Sequence, residues 1–192
     1  MQAVRLLLDQ VALAISASSA HRALQVQART DALTGLANRS TFSTALDAAA
    51  SDVTGQAWVL FIDLDDFKLV NDRLGHAAGD DLLRAVAARL SGAVREPGLC
   101  ARLGGDEFAV LVHAADADDV AVLGHRLIDA VSAPVQLAEG TARVGASIGA
   151  ARVLAGTPWT ETLRQADAAM YVAKAAGKNH LQLIRDDQVA LA

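Results

Sequence analysis

Cysteine is almost absent from this sequence, and so is any segment suited to a membrane. The one cysteine, Cys100, excludes an intramolecular disulfide, and because the start does not resemble a secretion signal we expect a cytoplasmic protein. The apolar neighbours of Cys100 favour a place in the core over a nucleophilic role. No apolar run reaches the roughly 18 residues that a membrane-spanning helix needs, so no membrane span is expected in this chain.

Positive charge is also scarce. The 17 lysines and arginines are outnumbered by 22 acidic residues, which leaves a formal net charge of −5. Nucleic acids and anionic membranes bind to basic surfaces, so we expect neither as a partner. A small anion held by a few local cations is compatible with this charge.

Aromatic residues make up only 4% of the chain, whereas apolar residues make up 53%, and many of these are alanine. This composition predicts a globular, helix-rich protein rather than a disordered one. The 192 residues suffice for one domain with a core and an appendage. No internal repeat or low-complexity linker divides them.

The appendage lies at the start of the chain. Residues 2–28 contain no glycine or proline, and Val4, Leu8, Val11 and Ile15 recur at spacings of three and four. This pattern predicts a helix of about 40 Å with one apolar stripe. The helix is either the first packed element of the domain or a connector whose stripe contacts a second chain or an upstream domain. We favour the connector, because no following helix is close enough in the chain to cover the stripe as a hairpin.

Beyond the appendage, apolar periodicity and the positions of glycine and proline predict one α/β domain built on a mixed or antiparallel sheet. The first predicted elements are a helix capped by Asn38 with Phe42 and Leu46 facing inward, a buried strand at 57–63, and helices at 68–74 and 77–90. A hairpin that turns at Gly104 and Gly105 and a helix capped by Asp116 follow. The last elements are a hairpin near Gly140 that leads into 144–153, and a helix that has Thr157 as its N-cap and Pro158 as its first residue and ends at Gly177.

Acidic residues stand where two of the predicted strands end or turn. Asp63 ends a buried strand, and Asp106 and Glu107 follow Gly104 and Gly105 at a hairpin turn. If the strands are neighbours, Asp63 and Asp106 meet at one edge of the sheet. Such carboxylates repel each other and invite Mg²⁺, which takes oxygen ligands, and two such ions can activate an attacking oxygen and stabilise a leaving one. Any single acid at a strand end is most simply read as solvated, but three acids beside two glycines favour a site.

Cationic and backbone groups suited to phosphate lie near the same elements. The chain turns from strand into helix at Asp66, Phe67 and Lys68, where free backbone N–H groups can hold phosphate oxygens. Lys174 and Lys178 flank the end of the last helix. These two lysines are equally well explained as partners of the helix dipole.

Asn71 and Asp80 are polar residues on adjacent predicted helices near the same corner. An amide and a carboxylate suit guanine, whose Watson–Crick edge offers an N1–H and an amino group as donors and O6 as an acceptor. Adenine has no N1–H to donate. The residues by themselves therefore predict a metal-dependent phosphoryl- or nucleotidyl-transfer site.

Five motifs in order resemble the GGDEF family of diguanylate cyclases, over residues 29–183. They read DALTGLANR, FIDLDDFKLVNDRLGHAAGDDLL, RLGGDEFAVL, ASIGAA and ADAAMYVAKAAGKN. The resemblance implies a palm-like α/β fold akin to nucleotide cyclases, with a mixed, largely antiparallel sheet flanked by helices. It also implies the condensation of two GTP into cyclic di-GMP and two pyrophosphate, with Mg²⁺ or Mn²⁺ as the cofactor.

The resemblance assigns a role to each candidate site residue. Asp63, the Leu64 carbonyl and Asp106 would hold metal, and Asp106 with Glu107 would activate the 3′-hydroxyl. Asn71 and Asp80 would read guanine. The triphosphate would be held by Lys68, Lys174 and Lys178 together with the backbone amides of Asp66 and Phe67.

The resemblance also implies how the chain is divided and what it binds. Residues 1–28 would be the linker helix that closes an upstream sensory domain, such as a GAF domain, which this chain lacks; residues 29–185 would be the cyclase domain and 186–192 a tail. Catalysis would need a homodimer. Two rival interpretations are a GGDEF module that binds GTP or a partner protein without turnover, and an α/β interaction domain without a ligand. The second rival leaves the five motifs unexplained.

The sequence departs from the family pattern at one place. Many diguanylate cyclases carry an Arg-x-x-Asp product-inhibition site five residues before the GGDEF motif, but here Arg95 is followed by Gly98 in place of the aspartate. Arg102 would supply the remaining, weak affinity for the product. We therefore expect weak or no inhibition by cyclic di-GMP through this site, and stronger inhibition after Gly98→Asp.

Overall fold

A six-stranded sheet forms the middle layer of the domain. The helix expected at 2–28 and the tail expected at 186–192 lie outside the described residues. The computed structural model describes residues 29–52 and 56–184, with the elements β1 (Ala37–Asn38), α1 (Arg39–Ala50), β2 (Ala57–Asp65), α2 (Phe67–Leu74), α3 (His76–Ala93), β3 (Leu99–Gly104), β4 (Glu107–His113), α4 (Ala117–Ser132), β5 (Val135–Leu137), β6 (Gly140–Ala142), β7 (Gly145–Arg152), α5 (Trp159–Ala175) and β8 (Leu181–Leu183).

The strands of this sheet follow the order β1-β3-β4-β2-β7-β8. Strand β2 pairs antiparallel with β4 and with β7, and β3 pairs antiparallel with β4. The two outer strands, β1 and β8, run parallel to their neighbours. Strands β5 and β6 form a separate hairpin. The prediction of a mixed, largely antiparallel sheet flanked by helices is confirmed.

Strand β2 is apolar on both faces because helices cover both sides of the sheet. Trp58, Leu60 and Ile62 belong to the larger core, to which α3 and α4 contribute. Val59 and Phe61 belong to the second core, to which α1 and α5 contribute. Each large apolar side chain that is fully buried contributes about 1.5–3 kcal/mol, so this strand anchors both layers.

Helix α5 lies directly on β7, and Gly149 makes this approach possible. A Cβ atom at Gly149 would lie only 2.0 Å from the Ala166 carbonyl oxygen and 2.2 Å from the Met170 nitrogen. Any side chain here would push the helix off the sheet. The close packing carries the C-terminal end of α5, with Lys174, to the edge of the sheet where β2 ends.

The predicted helix caps are mostly confirmed. The Asn38 side chain accepts a hydrogen bond from the Thr41 amide at the start of α1, and Asp116 accepts from two amides at the start of α4. The prediction for α5 was wrong by one residue, because the helix begins at Trp159 with Pro158 in the N-cap position rather than Thr157. A proline ring fixes φ near −65°, which suits both the N-cap seen here and the first turn.

Two short strands escaped prediction. Strands β1 and β8 have two and three residues, too few to show an alternating pattern.

Cys100 is buried, which confirms its predicted position in the core, and burial raises the pKa of its thiol to about 11. Within residues 29–52 and 56–184, no helix combines the length and the apolar character needed to cross a membrane.

Candidate functional site

The acids predicted to meet do meet, because β2 and β4 are neighbours in the sheet. Asp63 near the end of β2 is the register partner of Glu107 at the start of β4. The amide of Leu64 donates to the carbonyl oxygen of Asp106 at 3.2 Å. The β3–β4 turn at Gly104 and Gly105 therefore holds Asp106 against the end of β2.

Asp63 is the electrostatic centre of this edge. Burial raises the pKa of its carboxyl, the nearby Asp106 adds to the rise, and Lys174 opposes it. The Lys174 Nζ lies 2.6 Å from the Asp63 Oδ1. In the described part of the chain, this buried oxygen has no hydrogen-bond partner besides the Lys174 contact. Lys174 and Asp63 therefore form a close charge pair.

Glu107 lies beside Asp63 and faces an arginine that sequence reasoning missed. Burial raises the pKa of the Glu107 carboxyl, and Arg39 opposes the rise. The Arg39 Nη2 lies 3.5 Å from Glu107 Oε2, and its Nε donates to the Leu103 carbonyl at 3.2 Å. Arg39 thus holds both strands of the hairpin. Arg39 ends the motif DALTGLANR, but its place next to Asn38 indicates only a helix start and gives it no role.

The donor set at this edge suits a hard divalent cation that arrives with a ligand of its own. Asp63 and Asp106 would supply carboxylate oxygens to such a cation, and Leu64 would supply a backbone carbonyl. Among the residues that the structure describes, no group of three or more His, Cys, Asp or Glu side chains converges on one point. Mg²⁺ is usually bound by one or two carboxylates together with waters and phosphate oxygens, so this set fits it.

The start of α2 leaves its backbone amides available. Asp66 is the N-cap residue but its side chain makes no capping hydrogen bond, and its φ of 62° lies in the left-handed region. Its Oδ1 accepts from the Lys178 Nζ at 2.6 Å instead. Lys68 lies on the first turn of the helix and is exposed. The chain has only three lysines, at 68, 174 and 178, and two of them contact acids at the end of β2 or directly after it.

Asn71 and Asp80 lie at one corner, where α2 packs against α3. The corner depends on Gly79, because a Cβ atom there would lie 1.9 Å from the Asn71 Oδ1 and 3.3 Å from the Phe67 ring. Asn71 is partly buried and the neighbouring Asp80 is exposed. Asn71 thus lies against Gly79, the residue before Asp80, and the reading of guanine by this amide and carboxylate stays a prediction. The role of Gly79 was not predicted.

Comparison with known proteins identifies the family. The family model described as "Diguanylate cyclase, GGDEF domain" matches residues 28–180. The chain belongs to this family. The resemblance stated from the five motifs is confirmed.

Two curated relatives match most of this chain but differ in their named activities. The chain is 44% identical over 183 residues to the diguanylate cyclase TpbB of Pseudomonas aeruginosa (strain UCBPP-PA14). The aligned segment covers 91% of this chain and 41% of that protein. It is also 37% identical over 168 residues to the cyclic di-GMP phosphodiesterase NbdA of the same species. That aligned segment covers 85% of this chain and 21% of NbdA. The chain therefore spans less than half the length of either relative.

Solved structures agree with the fold of this GGDEF domain. The coiled coil and GGDEF domain of DgcB from Caulobacter crescentus, solved with c-di-GMP, has a TM-score of 0.85 at 29% identity and covers 96% of this chain and 100% of that chain. The GGDEF domain of TpbB from Pseudomonas aeruginosa has a TM-score of 0.75 at 43% identity and covers 79% of this chain and 98% of that chain.

Arg102, expected as a remnant of the inhibitory site, is engaged within the GGDEF domain. Its Nη1 lies 3.1 Å from Asp31 Oδ1, and its Nε and Nη2 donate to the Gly105 carbonyl at 3.0 and 2.7 Å. Its side chain is 12% exposed. Asp31 also accepts from the Thr34 amide and hydroxyl. Arg102 thus ties the first loop of the domain to the turn that carries Asp106.

The ion pair between Asp31 and Arg102 makes a contribution to stability that depends on pH and can be measured. Burial acts to raise the pKa of Asp31, but hydrogen bonds from Thr34 and Arg102 outweigh it and hold the pKa below its ordinary value of 3.8. A lowered pKa means that the stabilisation is present above pH 4 and disappears as the pH falls through the folded-state value. We expect Asp31→Asn to lower the free energy of unfolding by about 1–2 kcal/mol at pH 7.

Urea unfolding at pH 7 and at pH 3 checks this expectation. The difference between the wild-type protein and Asp31→Asn should shrink at the lower pH. Asp47→Asn, which changes an exposed carboxylate on α1, is the matched control and should show almost no difference. A loss in Asp31→Asn that does not depend on pH would argue against the ion pair.

Arg95 and Gly98, the other residues of the degenerate inhibitory site, precede β3, whereas Arg102 lies near its other end. Arg95 is exposed, and the Gly98 amide donates to the Arg95 carbonyl at 2.9 Å. A Cβ atom at Gly98 would lie 2.4 Å from the Val94 Cγ1 and 2.9 Å from the Arg95 carbonyl oxygen. The turn is packed around a glycine, so the stronger inhibition predicted for Gly98→Asp requires that the Val94 side chain and the turn at Arg95 shift to admit the aspartate.

Replacing Gly98 with alanine is accordingly expected to destabilise the domain by about 1–3 kcal/mol, the usual cost of overpacking. Gly92→Ala is the matched control, since nothing lies within 4 Å of a Cβ at that position in α3. The control should stabilise the protein by about 0.5–1 kcal/mol, because alanine favours a helix. Denaturant unfolding of both variants measures the two opposite signs, and equal signs would contradict the packing argument.

Proposed function

We propose that the chain is an active diguanylate cyclase domain that condenses two GTP into cyclic di-GMP and two pyrophosphate. One observation carries the proposal. The antiparallel pairing of β2 with β4 sets Asp63 opposite Glu107 and beside Asp106, and Lys174 contacts Asp63 at 2.6 Å. Acids and a cation in this arrangement suit the transfer of a nucleotidyl group. GTP availability makes the cytoplasm the expected location.

Each end of GTP has a recognition element in this proposal. Asp80 and Asn71 read guanine at the corner of α2 and α3. Lys68 and Lys178, with the backbone amides of Asp66 and Phe67, hold the triphosphate. The exposed position of Asp80 and the uncapped start of α2 support this assignment. The nucleotide would thus lie along α2.

Asp63, the Leu64 carbonyl and Asp106 would hold the divalent cation, Mg²⁺ or Mn²⁺. When bound, such a cation neutralises charge on the triphosphate and lowers the pKa of the attacking hydroxyl. Asp106, with Glu107 beside it, would accept the proton of the 3′-hydroxyl. Lys174 balances the charge that develops on the departing pyrophosphate. The Gly104–Gly105 turn leaves room for the nucleotide above these acids.

The reaction joins two nucleotides, so two copies of the domain must face each other. The 3′-oxygen of one GTP bonds to the α-phosphorus of the other, the bond from that phosphorus to the β-phosphate bridging oxygen breaks, and pyrophosphate leaves. A second such step, with the roles of the two nucleotides exchanged, closes the ring. One domain with one GTP cannot complete either step alone.

Specific activity is therefore expected to rise with protein concentration until dimers saturate. Far below the dissociation constant of the dimer, a tenfold increase in concentration should raise the rate per domain about tenfold, by mass action. Product formation measured across a dilution series, with sedimentation to establish the oligomeric state, checks this. Constant specific activity from a protein shown to be monomeric would rule out the two-copy mechanism. Removing residues 1–28, which we propose as the connector to a sensory domain, tests whether they contribute to association.

Incubation with GTP and Mg²⁺ followed by chromatography of the products tests the activity itself. The expected products are cyclic di-GMP and pyrophosphate in a ratio of one to two. The alternative function is a module that binds GTP or a partner without turnover. The relative NbdA supports this alternative, because its name gives a phosphodiesterase activity and no cyclase activity. GTP binding without product would support that alternative.

A further inference from the structure

Asp65 is the acid of the β2 end that neither metal nor nucleotide explains. The residue is 3% exposed, and both carboxylate oxygens accept hydrogen bonds within the protein. The Ser147 hydroxyl donates to Oδ1 at 2.8 Å and lies 3.1 Å from Oδ2, and the Asn179 amide donates to Oδ2 at 2.8 Å. A carboxylate with these partners points away from solvent and is not available to bind a metal ion or the guanine base.

The segment that Asp65 holds has an unusual backbone. Gly177, Lys178 and Asn179 have φ angles of 126°, 64° and 48°. The left-handed region is costly for residues that carry a Cβ, and it persists where the surrounding structure determines it. The Asn179 side chain adds to that determination, since its Oδ1 accepts from the Ser132 hydroxyl at 2.8 Å and from the Ala146 amide at 3.3 Å.

Asp65 and Asp66 contact two consecutive residues of this segment. The buried contact joins Asp65 to the Asn179 amide at 2.8 Å, and the exposed contact joins Asp66 to the Lys178 Nζ at 2.6 Å. Gly145 leaves room for the buried contact, because a Cβ there would lie 3.0 Å from the Asp65 Oδ2. The buried contact therefore determines where Lys178 stands.

We propose that Asp65 is a positioning residue, which presents Lys178 to the triphosphate of the nucleotide through its hydrogen bond to the Asn179 amide. This role rests on the proposed function, because it needs a triphosphate at the start of α2. When the phosphates draw Lys178 away from Asp66, the buried contact still holds its backbone in place. Asp65 thus acts on phosphate binding without touching the nucleotide.

The binding test uses 3′-deoxy-GTP with Mg²⁺, because this analogue lacks the attacking hydroxyl and cannot turn over. By calorimetry on the full chain, Asp65→Ala should weaken its binding by about tenfold or more, the effect of losing one charge-assisted contact. Asp65→Asn should stay within about threefold of the wild-type protein, since an amide oxygen still accepts from Asn179. Binding of guanosine, which has no phosphate, should not change. Equal losses for guanosine and 3′-deoxy-GTP would overturn the proposal.

A double-mutant cycle separates action through Lys178 from an independent effect. Lys178→Met should weaken 3′-deoxy-GTP binding in the wild-type background but add little to Asp65→Ala, because the two residues act as one unit. Additive losses would overturn the proposal. Arg84→Ala, which removes an exposed cation paired with Asp81, is the control and should leave the affinity unchanged. If Asp65→Ala does not fold, Ser147→Ala removes the other partner of the carboxylate and should give a smaller loss.

Hydrogen exchange of the nucleotide-free protein tests the positioning without any ligand. Amides of residues 177–183 should exchange faster in Asp65→Ala and close to the wild-type rate in Asp65→Asn. Unchanged exchange in Asp65→Ala would overturn the positioning role even if the wild-type protein binds nucleotide. A wild-type protein that binds no 3′-deoxy-GTP would overturn the proposed function, and with it the role of Asp65 in phosphate binding, while faster exchange in Asp65→Ala would still mark the contact as structural.

Discussion

Asp106→Asn is expected to abolish the formation of cyclic di-GMP while the domain stays folded. The substitution keeps the shape of the side chain but removes a negative charge from the edge where β2 ends. That edge then lacks one of the two carboxylates proposed to hold the cation, and a proton acceptor for the 3′-hydroxyl. Loss of one preorganised electrostatic contact to a transition state typically costs about 10²–10³-fold in rate, and here two roles are lost together.

The stability of the variant provides an independent check, because the sign of the effect is the opposite of a folding defect. Asp106 is among the groups that raise the pKa of Asp63 and of Glu107, so its charge repels both. Removing it should leave the free energy of unfolding at pH 7 unchanged or raise it by up to about 1 kcal/mol. Urea unfolding measures this value on the same preparation that is assayed for product.

Asp81→Asn is the matched control for the activity measurement. It makes the same chemical change at an exposed position of α3, where the carboxylate pairs with Arg84 at 2.5 Å. Its product yield should equal that of the wild-type protein. Full activity of Asp106→Asn would show that Asp106 has no role in catalysis. If Asp106→Asn does not fold, the activity of Asp63→Asn tests the proposed metal site instead.

The meeting of the acids was predictable because two strong local signals agree. A continuous apolar run marks β2 as a buried strand, and a Gly-Gly pair between two apolar runs marks a hairpin. Once these strands are neighbours, the acids that follow the first and turn the second share an edge. The sequence therefore sufficed for Asp63 and Asp106, whose positions depend on the backbone alone.

The difference between Asp63 and Asp65 was not predictable, because both acids have the same parity on β2. Asp65 is buried only because Ser147 and Asn179, 82 and 114 residues away in the chain, meet it there. Arg39 likewise reaches Leu103 across 64 residues. Periodicity describes one element at a time, so contacts between side chains of distant elements stay outside its reach.

Glycines in turns were predictable from the sequence, whereas glycines at packing contacts between elements were not. Gly105 has a φ of 51° in a tight turn, and a Gly-Gly hairpin signal already predicts such a turn. Gly79 and Gly149 carry no local signal, since their small size matters only when a neighbouring helix lies against them. The corner that holds Asn71 and the approach of α5 to the sheet thus became visible only in the folded domain.

Asp80→Ser is expected to reduce the preference of the domain for GTP over ATP. In the proposed complex the carboxylate accepts the guanine N1–H and the 2-amino group. Adenine presents an unprotonated N1 at that place, so the carboxylate meets a lone pair and loses its partner. A polar group left unpaired in a specific site is what rejects the wrong base. Serine removes the charge and most of the reach, so both the attraction to guanine and the penalty against adenine diminish.

The quantity to measure is the ratio of kcat/KM for GTP to that for ATP. A charge-assisted hydrogen bond is worth about 1.5–3 kcal/mol, so the ratio should fall by about 10- to 100-fold in Asp80→Ser. Asp81→Ser is the control, because it removes the adjacent exposed carboxylate and should not alter the ratio. The same ratio in Asp80→Ser and the wild-type protein would place the reading of the base elsewhere.

Inosine triphosphate separates the two contacts proposed for Asp80, because hypoxanthine keeps the N1–H and lacks the 2-amino group. In the wild-type protein its kcat/KM should lie between those of GTP and ATP, since one of the two hydrogen bonds survives. In Asp80→Ser the three nucleotides should converge, and GTP should lose more than inosine triphosphate does. If the variant lowers all three values by the same factor, Asp80 supports the corner between α2 and α3 without contacting the base. Convergence of the three values, by contrast, requires that the carboxylate itself distinguish the bases.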